Sequence, residues 1–465
     1  MEEKKENEKK SEDVKNSPKK EEESKKEEKK ETEEPKNINK KKEVEILYKT
    51  EVPKDLEMKN IVEDKNLLST AQTWDELGIK PEIIKGLLEM KFTEPSKIQA
   101  TTFPLIMKEP RTNVIAQAKN GSGKTAAFGL GVISSIDESS SEIQAVVFAH
   151  TRELVLQIKN VLSQIAKFTK VKVTSLLSGE NETDVGQIIV ITPGHFENCY
   201  LKRNKEKLKN LKMLVLDEAD FMLTNEVTSK VCDRSFKLFQ KEKINVQILF
   251  FSATFDVKCF IFIKRYYKNA FMIELKKEEL TLDNVSQLYQ ECKGEEEKVE
   301  FIENYLKVSK GSQRVIIFAN KRDYVVKLQE NLFKRGYKVY ILMGGDMALQ
   351  NRDETIRKFK DGEIQILITT DLLARGYDEK SVKLVINFDL PVKKTNKGKF
   401  EPDFETYLHR IGRTGRFGSK GIGLNLCKGK NDMEILHKIE EYYKTKIEKL
   451  KTLDELSEDL KKIDL

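Results

Sequence analysis

The chain has 465 residues, with 84 Lys and Arg against 77 Asp and Glu, a net charge of +7, and a hydrophobic content of 38%. That length accommodates two or three domains with ample cores, and the small positive excess permits a polyanionic partner without requiring one. Five scattered cysteines and four histidines exclude an obvious zinc site or disulfide framework, no apolar run reaches the ~18 residues of a membrane span, and the N-terminus is too charged for a secretory signal, so a cytosolic or nuclear protein is expected.

From Met1 to Glu45 there are fifteen Lys and sixteen Asp or Glu, no aromatic residue, and little that is apolar beyond Val14 and Ile38. Such a segment cannot bury enough surface to offset its ordering entropy, so residues 1–66 read as a disordered Lys/Glu-rich tail. From Leu67 short apolar runs alternate with amphipathic stretches. Candidate buried strands are Asn113–Ala116, Ala145–Ala149, Val171–Leu177, Ile188–Ile191, Met213–Leu216 and Gln247–Phe251, each followed by a helical pattern or a turn, as βαβ units require. A polar stretch, Glu274–Asn284, reads as a linker. The alternation restarts with Val315–Phe318, Val339–Leu342, Ile364–Ile368, Leu384–Phe388 and Ile422–Leu426. These patterns predict an α/β protein with two tandem domains, each with a mainly parallel sheet and ligands at the strands' C-terminal ends. The predicted boundaries are 67–275 and 285–452, joined by 276–284 and followed by a polar tail, 453–465. Lys393–Lys399 reads as a charged surface insertion.

The first chemical signal is Ala118-Lys119-Asn120-Gly121-Ser122-Gly123-Lys124-Thr125 after the strand Asn113–Ala116 and before a helical run. This is the order of a P-loop, although Ala118 stands where a first glycine is usual. Gly121, Ser122 and Gly123 let backbone amides approach phosphates, Lys124 is expected to bridge the β- and γ-phosphates, and Thr125 is the expected Mg2+ ligand. The second signal is Asp217-Glu218-Ala219-Asp220, directly behind Met213–Leu216. Asp217 is expected to hold Mg2+ through its water shell and Glu218 to polarise the attacking water. Ser252 and Thr254, behind Gln247–Phe251, are placed to hydrogen-bond the acidic cluster. Late in the chain, His409-Arg410-Ile411-Gly412-Arg413-Thr414-Gly415-Arg416 combines three arginines with glycines. These arginines are costly to bury and suit fingers supplied in cis, which stabilise charge on a transferring phosphoryl group.

In this order and spacing the motifs resemble those of the DEAD-box RNA helicases, over roughly Trp74 to Leu450. The resemblance implies two RecA-like domains, ATP with Mg2+, and RNA-driven domain closure. Lys91–Gln99 is similar to the adenine-recognising Q motif, which assigns Gln99 to the adenine edge and Phe92 to its ring. By the same resemblance Gly376 and Asp378 meet the nucleotide, and Arg413 and Arg416 reach the γ-phosphate. Asp220, Ser252, Thr254 and His409 would couple the two domains. Thr151, Arg152, Thr192 and Gly194 in the first domain, with Thr370, Asp371 and Arg375 in the second, would hold the backbone of single-stranded or short duplex RNA without reading its bases.

Asn120, His150, Ser178, Ile191, Lys321 and Tyr377 depart from the common pattern, but none removes a catalytic group. Pro95-Ser96-Lys97-Ile98-Gln99 and the longer insertion between Pro391 and Tyr407 resemble the nuclear-pore branch that acts in messenger-RNA export. That branch implies messenger-RNA–protein complexes as substrates, a nucleoporin on the first domain, and an export activator with inositol hexakisphosphate on the second. It also implies a monomer, both cytoplasmic and nuclear, concentrated at the pore. A translation-initiation helicase, an RNA clamp with slow turnover and, more remotely, a DNA helicase are the competing readings.

Overall fold

The computed structural model describes residues 59–61, 71–118, 121–177, 185–267, 269–274, 284–309, 313–343, 349–371, 381–394, 398–415 and 419–463. The remainder of the expected tail, 1–58 and 62–66, lies outside them, as does almost all of the expected linker.

Eight strands form the first sheet: β1 (Lys59–Ile61), β2 (Asn113–Gln117), β3 (Ala145–Phe148), β4 (Val173–Leu176), β5 (Ile188–Ile191), β6 (Met213–Asp217), β7 (Gln247–Ser252) and β8 (Asn269–Glu274). They lie in the order β1-β8-β2-β7-β6-β3-β5-β4, and every pairing is parallel. Helices on both faces explain why β2, β3, β5, β6 and β7 are apolar at almost every position instead of alternating. One core holds Trp74, Phe128, Val147 and Phe251; the other, across the sheet, holds Phe148, Phe196, Phe236 and Phe250.

Two strands of this sheet lie outside those expected from the sequence, as do Val285–Cys292, Val392–Lys394, Phe400–Pro402 and Glu448–Lys449 in the second domain. Asn269–Glu274 runs into the polar stretch taken as a linker. Lys59–Ile61 falls inside the segment assigned to the disordered tail, yet it pairs with β8 as a three-residue edge strand. A strand that short has no periodicity of its own to read; its backbone bonds to β8 define it.

The second sheet contains β9 (Val285–Cys292), β10 (Arg314–Phe318), β11 (Tyr340–Leu342), β12 (Ile366–Thr369), β13 (Val382–Asn387), β16 (Gly421–Lys428) and β17 (Glu448–Lys449). Its order is β11-β12-β10-β13-β16-β9-β17, again parallel throughout. The charged insertion after Pro391 is a small antiparallel hairpin of β14 (Val392–Lys394) and β15 (Phe400–Pro402). The C-terminal stretch expected as a polar tail is instead a helix, Leu453–Ile463, that buries Leu456 and Leu460 in the core of the second domain, beside Ile317, Leu384 and Leu424. Its charges occupy one face and its leucines the other, a pattern that composition alone hides.

Candidate functional site

The topology brings the chemistry together. In the first sheet β2, β7 and β6 are neighbours, so the P-loop, Ser252-Ala253-Thr254 and Asp217–Asp220 leave the sheet side by side at its C-terminal edge. The ends of β3 and β5, also paired, carry Thr151 and Thr192.

The P-loop helix, Lys124–Ser134, opens behind Gly123, whose φ of 93° is left-handed; Gly121 has φ 74°. A side chain at Gly123 would meet steric as well as conformational resistance, because its Cβ would lie 2.5 Å from Gln99 Nε2. Lys124 Nζ donates to the Ala118 carbonyl at 2.8 Å. Burial pulls the Lys124 ammonium below its ordinary range, while the Glu218, Asp217 and Asp220 carboxylates oppose that shift and Arg413 adds to it. Gln99 is buried and bridges two motifs: its Oε1 accepts from the Ser96 N–H at 2.8 Å and its Nε2 donates to the Gly123 carbonyl at 3.3 Å. Ser96 Oγ adds a bond to the Ser122 carbonyl at 2.9 Å. The residue assigned to adenine is therefore also a brace for the phosphate loop. Phe92 is half-buried against the first core, with its carbonyl accepting from Trp74 Nε1.

Asp217, Glu218 and Asp220 are all buried. Burial first, and then the Glu218 carboxylate, push the Asp217 carboxyl up to about 7, against the pull of Lys124 and a hydrogen bond from the Glu218 N–H. Glu218 has φ 54° and ψ 52°, a left-handed conformation uncommon outside glycine, so the backbone is strained at the residue expected to act as base. Thr254 Oγ1 donates to Asp220 Oδ2 at 2.7 Å, and the Thr254 N–H reaches Ser252 Oγ at 3.4 Å. Of the two hydroxyls expected to meet the acidic cluster, Thr254 bonds Asp220, whereas Ser252 Oγ accepts from the Thr254 N–H.

The second sheet closes this cluster from the opposite side. His409 Nε2 lies 3.8 Å from Glu218 Oε2, and Glu218, Asp220 and His409 present ligand atoms all within 4.8 Å of one another. Arg413 is buried, its Nε donating to the His409 carbonyl at 2.9 Å. Of the other residues assigned to nucleotide or RNA, Arg375, Gly376, Asp378 and Arg416 lie outside the described residues.

Arginines of this motif are expected to be costly to bury. Instead, Arg410 sits inside the helix Phe404–Ile411 and is fully buried. Its guanidinium donates to Asp371 Oδ1 at 2.6 Å, the Asp389 carbonyl at 2.8 Å, Asn320 Oδ1 at 2.8 Å and Asn387 Oδ1 at 3.4 Å. Those bonds tie the ends of β10, β12 and β13 together and replace the hydration lost on burial. They also engage the carboxylate of Asp371, a residue the motif resemblance places on RNA.

The remaining RNA candidates have mixed placements. Thr151 caps the helix Arg152–Ile165, its Oγ1 accepting from the Leu154 N–H at 3.2 Å. Thr192 precedes the helix beginning at Pro193, Gly194 is exposed with open space around it, and Thr370 is half-buried. Arg152 pairs with Asp353 of the second half at 3.3 Å, and the adjacent Glu153 pairs with Arg352. The two ion pairs are reciprocal, each half supplying one cation and one anion. They went unread because residues about two hundred positions apart leave no local signature, and Arg352 sits on an otherwise ordinary charged helix.

Comparison with known proteins completes this picture. The DEAD/DEAH box helicase family matches residues 96–260 and the helicase conserved C-terminal domain matches 297–418. ATP-dependent RNA helicase DDX19B of Homo sapiens is 38% identical over 397 residues, covering 84% of this chain and 81% of that protein. Among solved structures, S. cerevisiae Dbp5 bound to RNA and ADP BeF3 is 36% identical, with a TM-score of 0.78 over 84% of this chain and all of that one. A Dbp5 variant from the same yeast bound to Nup159, Gle1, IP6 and ADP is 34% identical with a TM-score of 0.58, covering 83% of this chain and 99% of the other. Identity at this level across more than four-fifths of each chain, carried by two RecA-like sheets whose motif-bearing ends meet, places the chain in the DEAD-box family of ATP-dependent RNA helicases, beside DDX19 and Dbp5.

Proposed function

We propose that this RNA-dependent ATPase remodels messenger-RNA–protein complexes during export, using closure of its two halves as the controlled step. The carrying observation is the approach of His409 to Glu218, with Arg413 close enough for its charge to act on Lys124. Neither half contains the whole set, so hydrolysis follows only when they meet. A TM-score of 0.78 to the RNA- and ADP BeF3-bound relative, against 0.58 to the Nup159–Gle1 complex, supports reading this arrangement as the engaged one.

In the proposed reaction, the Gly121–Gly123 amides and Lys124 hold the phosphates of ATP, and Gln99 keeps the loop in shape while meeting adenine with Phe92. Thr125 and Asp217 would hold Mg2+, which would supply charge neutralisation for the nucleotide phosphates. The buried acidic cluster fits a cation, because Lys124 and Arg413 together face three carboxylates and Asp217 is driven toward the neutral form. Glu218 takes a proton from the attacking water, and Arg413, with Arg416, stabilises charge on the transferring group. Thr254 and Ser252 report the state of Asp220 to the rest of the domain. Thr192, Gly194 and Thr370 contact the RNA backbone with Arg375, while Asp371 holds its loop through Arg410. Gly376 and Asp378 complete the nucleotide side.

We assign the pore branch from the relatives: one is held with Nup159, Gle1 and IP6. A nucleoporin on the first domain, an IP6-bound activator on the second, and a location at the nuclear pore in cytoplasm and nucleus follow for this chain on that reading. Phosphate release measured with and without RNA tests the core of the proposal. Glu218→Gln should abolish RNA-stimulated release while tightening ATP-dependent RNA binding; turnover at the wild-type rate would remove Glu218 from the role of base.

A further inference from the structure

Behind Thr192 the chain descends through Pro193–Leu201 from the C-terminal edge of the first sheet to its opposite edge, where Lys202–Lys212 leads into β6. This entry segment, Lys-Arg-Asn-Lys-Glu-Lys-Leu-Lys-Asn-Leu-Lys, holds six cations and a single acid, Glu206. Lys202 pairs with Glu197 and Asn198 at the helix end, as a last-turn cation should. Arg203, Lys205, Lys207 and Lys209 are exposed and form no ion pair among the described residues.

An unstructured charge run would be a solvated face and nothing more, but this one is built. Leu208 and Leu211 are buried in the core beneath it. Asn204 Nδ2 donates to the Cys199 carbonyl at 2.8 Å, and Lys205–Leu208 form a single tight helical turn. The four cations are thus held outward on an anchored loop. Being exposed and without ion pairs among the described residues, they repel one another with no compensating carboxylate.

We propose that Arg203, Lys205, Lys207 and Lys209 form an accessory contact for the phosphate backbone of single-stranded RNA. They would extend the footprint of the first domain beyond Thr192 and Gly194, down the flank of the helix Pro193–Leu201. The four α-helical residues Pro193–Phe196 and the wider π turn Glu197–Leu201 span at most roughly 13 Å, taking the α-helical ~1.5 Å per residue as the upper limit, so a strand leaving the Thr192 site reaches the loop within a few nucleotides. Contacts of this kind carry no base preference and draw their affinity from counterion release. The inference rests on the RNA-binding reading of the core.

The test uses the full chain with all four cations changed to Gln, beside the wild type. Binding to poly-uridine strands of about 7 and about 20 nucleotides is measured across a salt series, with ATPase stimulation followed in parallel. Four phosphate contacts on a single strand correspond to a loss of about 2.8 in the slope of log affinity against log salt, from ~0.7 per contact. The variant should show most of that loss, with roughly ten-fold or more weaker binding, for the long strand, while stimulation by the short strand stays at the wild-type level. An unchanged slope and affinity for the long strand would overturn the accessory site. Failure of the short strand to stimulate the wild type would instead strike the core reading. Equal losses on both strands would place the cations in the core site and also overturn the proposal.

Discussion

Removing Arg352 tests whether closure depends on charge pairs between the two halves. Arg352 and Glu153 belong to helices about two hundred residues apart, and their side chains are 10% and 6% exposed. Truncating one member of a pair so deeply buried strands the other, at a cost of about 3–5 kcal/mol when water is excluded. Reopening the halves rehydrates the stranded carboxylate, so the low end applies: about 3 kcal/mol, or roughly 100-fold in the closure equilibrium. The neighbouring pair, Arg152 with Asp353, is 19% and 38% exposed, which puts it in the class of screened pairs contributing about 0–1 kcal/mol. Arg352→Ala should therefore weaken RNA binding in the presence of a non-hydrolysable ATP analogue by roughly 100-fold, and Asp353→Ala by less than about 5-fold. Fluorescence anisotropy with labelled RNA, with and without the analogue, reads both. Binding in its absence and the melting temperature should stay near wild type, since each half folds around its own core. The Arg352→Ala, Glu153→Ala double variant should recover much of the single-variant loss. Equal, small effects from Arg352→Ala and Asp353→Ala, or a loss that appears without nucleotide, would refute the argument.

Thr254→Val removes a 2.7 Å hydrogen bond to a buried carboxylate and nothing else of that size. Bonds to charged groups contribute ~1.5–3 kcal/mol, so RNA-stimulated turnover should fall by roughly ten-fold or more while the KM for ATP moves little; a purely KM effect would contradict its coupling role. Gly123→Ala places a methyl 2.5 Å from Gln99 Nε2 at a φ of 93°, and should abolish nucleotide binding measured by calorimetry with the fold retained by circular dichroism. Leu456→Ala opens the second domain's core under the C-terminal helix and should lower stability by ~2–5 kcal/mol in chemical denaturation, an effect absent if the helix were a loose tail.

The nucleotide chemistry was legible because each motif lies within a few residues of the strand that presents it. An apolar run ending in Asp217-Glu218 is both a buried strand and a carboxylate pair at its tip, and the Gly-Ser-Gly turn before Lys124 announces a phosphate loop in the same way. Edge elements were harder. Lys59–Ile61 and Glu448–Lys449 are strands only because β8 and β9 offer them backbone partners, and the helix Leu453–Ile463 carries too many charges to advertise its buried leucines.

Local order along the chain was thus enough to establish the two α/β halves, the P-loop, the acidic strand end and the late arginine motif. Which groups these residues face depended on contacts between distant segments. Burial of Arg410 is tolerable only because β10, β12 and β13 end beside one another and offer four acceptors. Gln99 braces Gly123 because two helices start side by side, and Glu153 meets Arg352 across nearly two hundred residues. Charge and hydrogen-bond partners are chosen by proximity in space, and at such separations the folded sheet order, rather than spacing along the chain, sets that proximity.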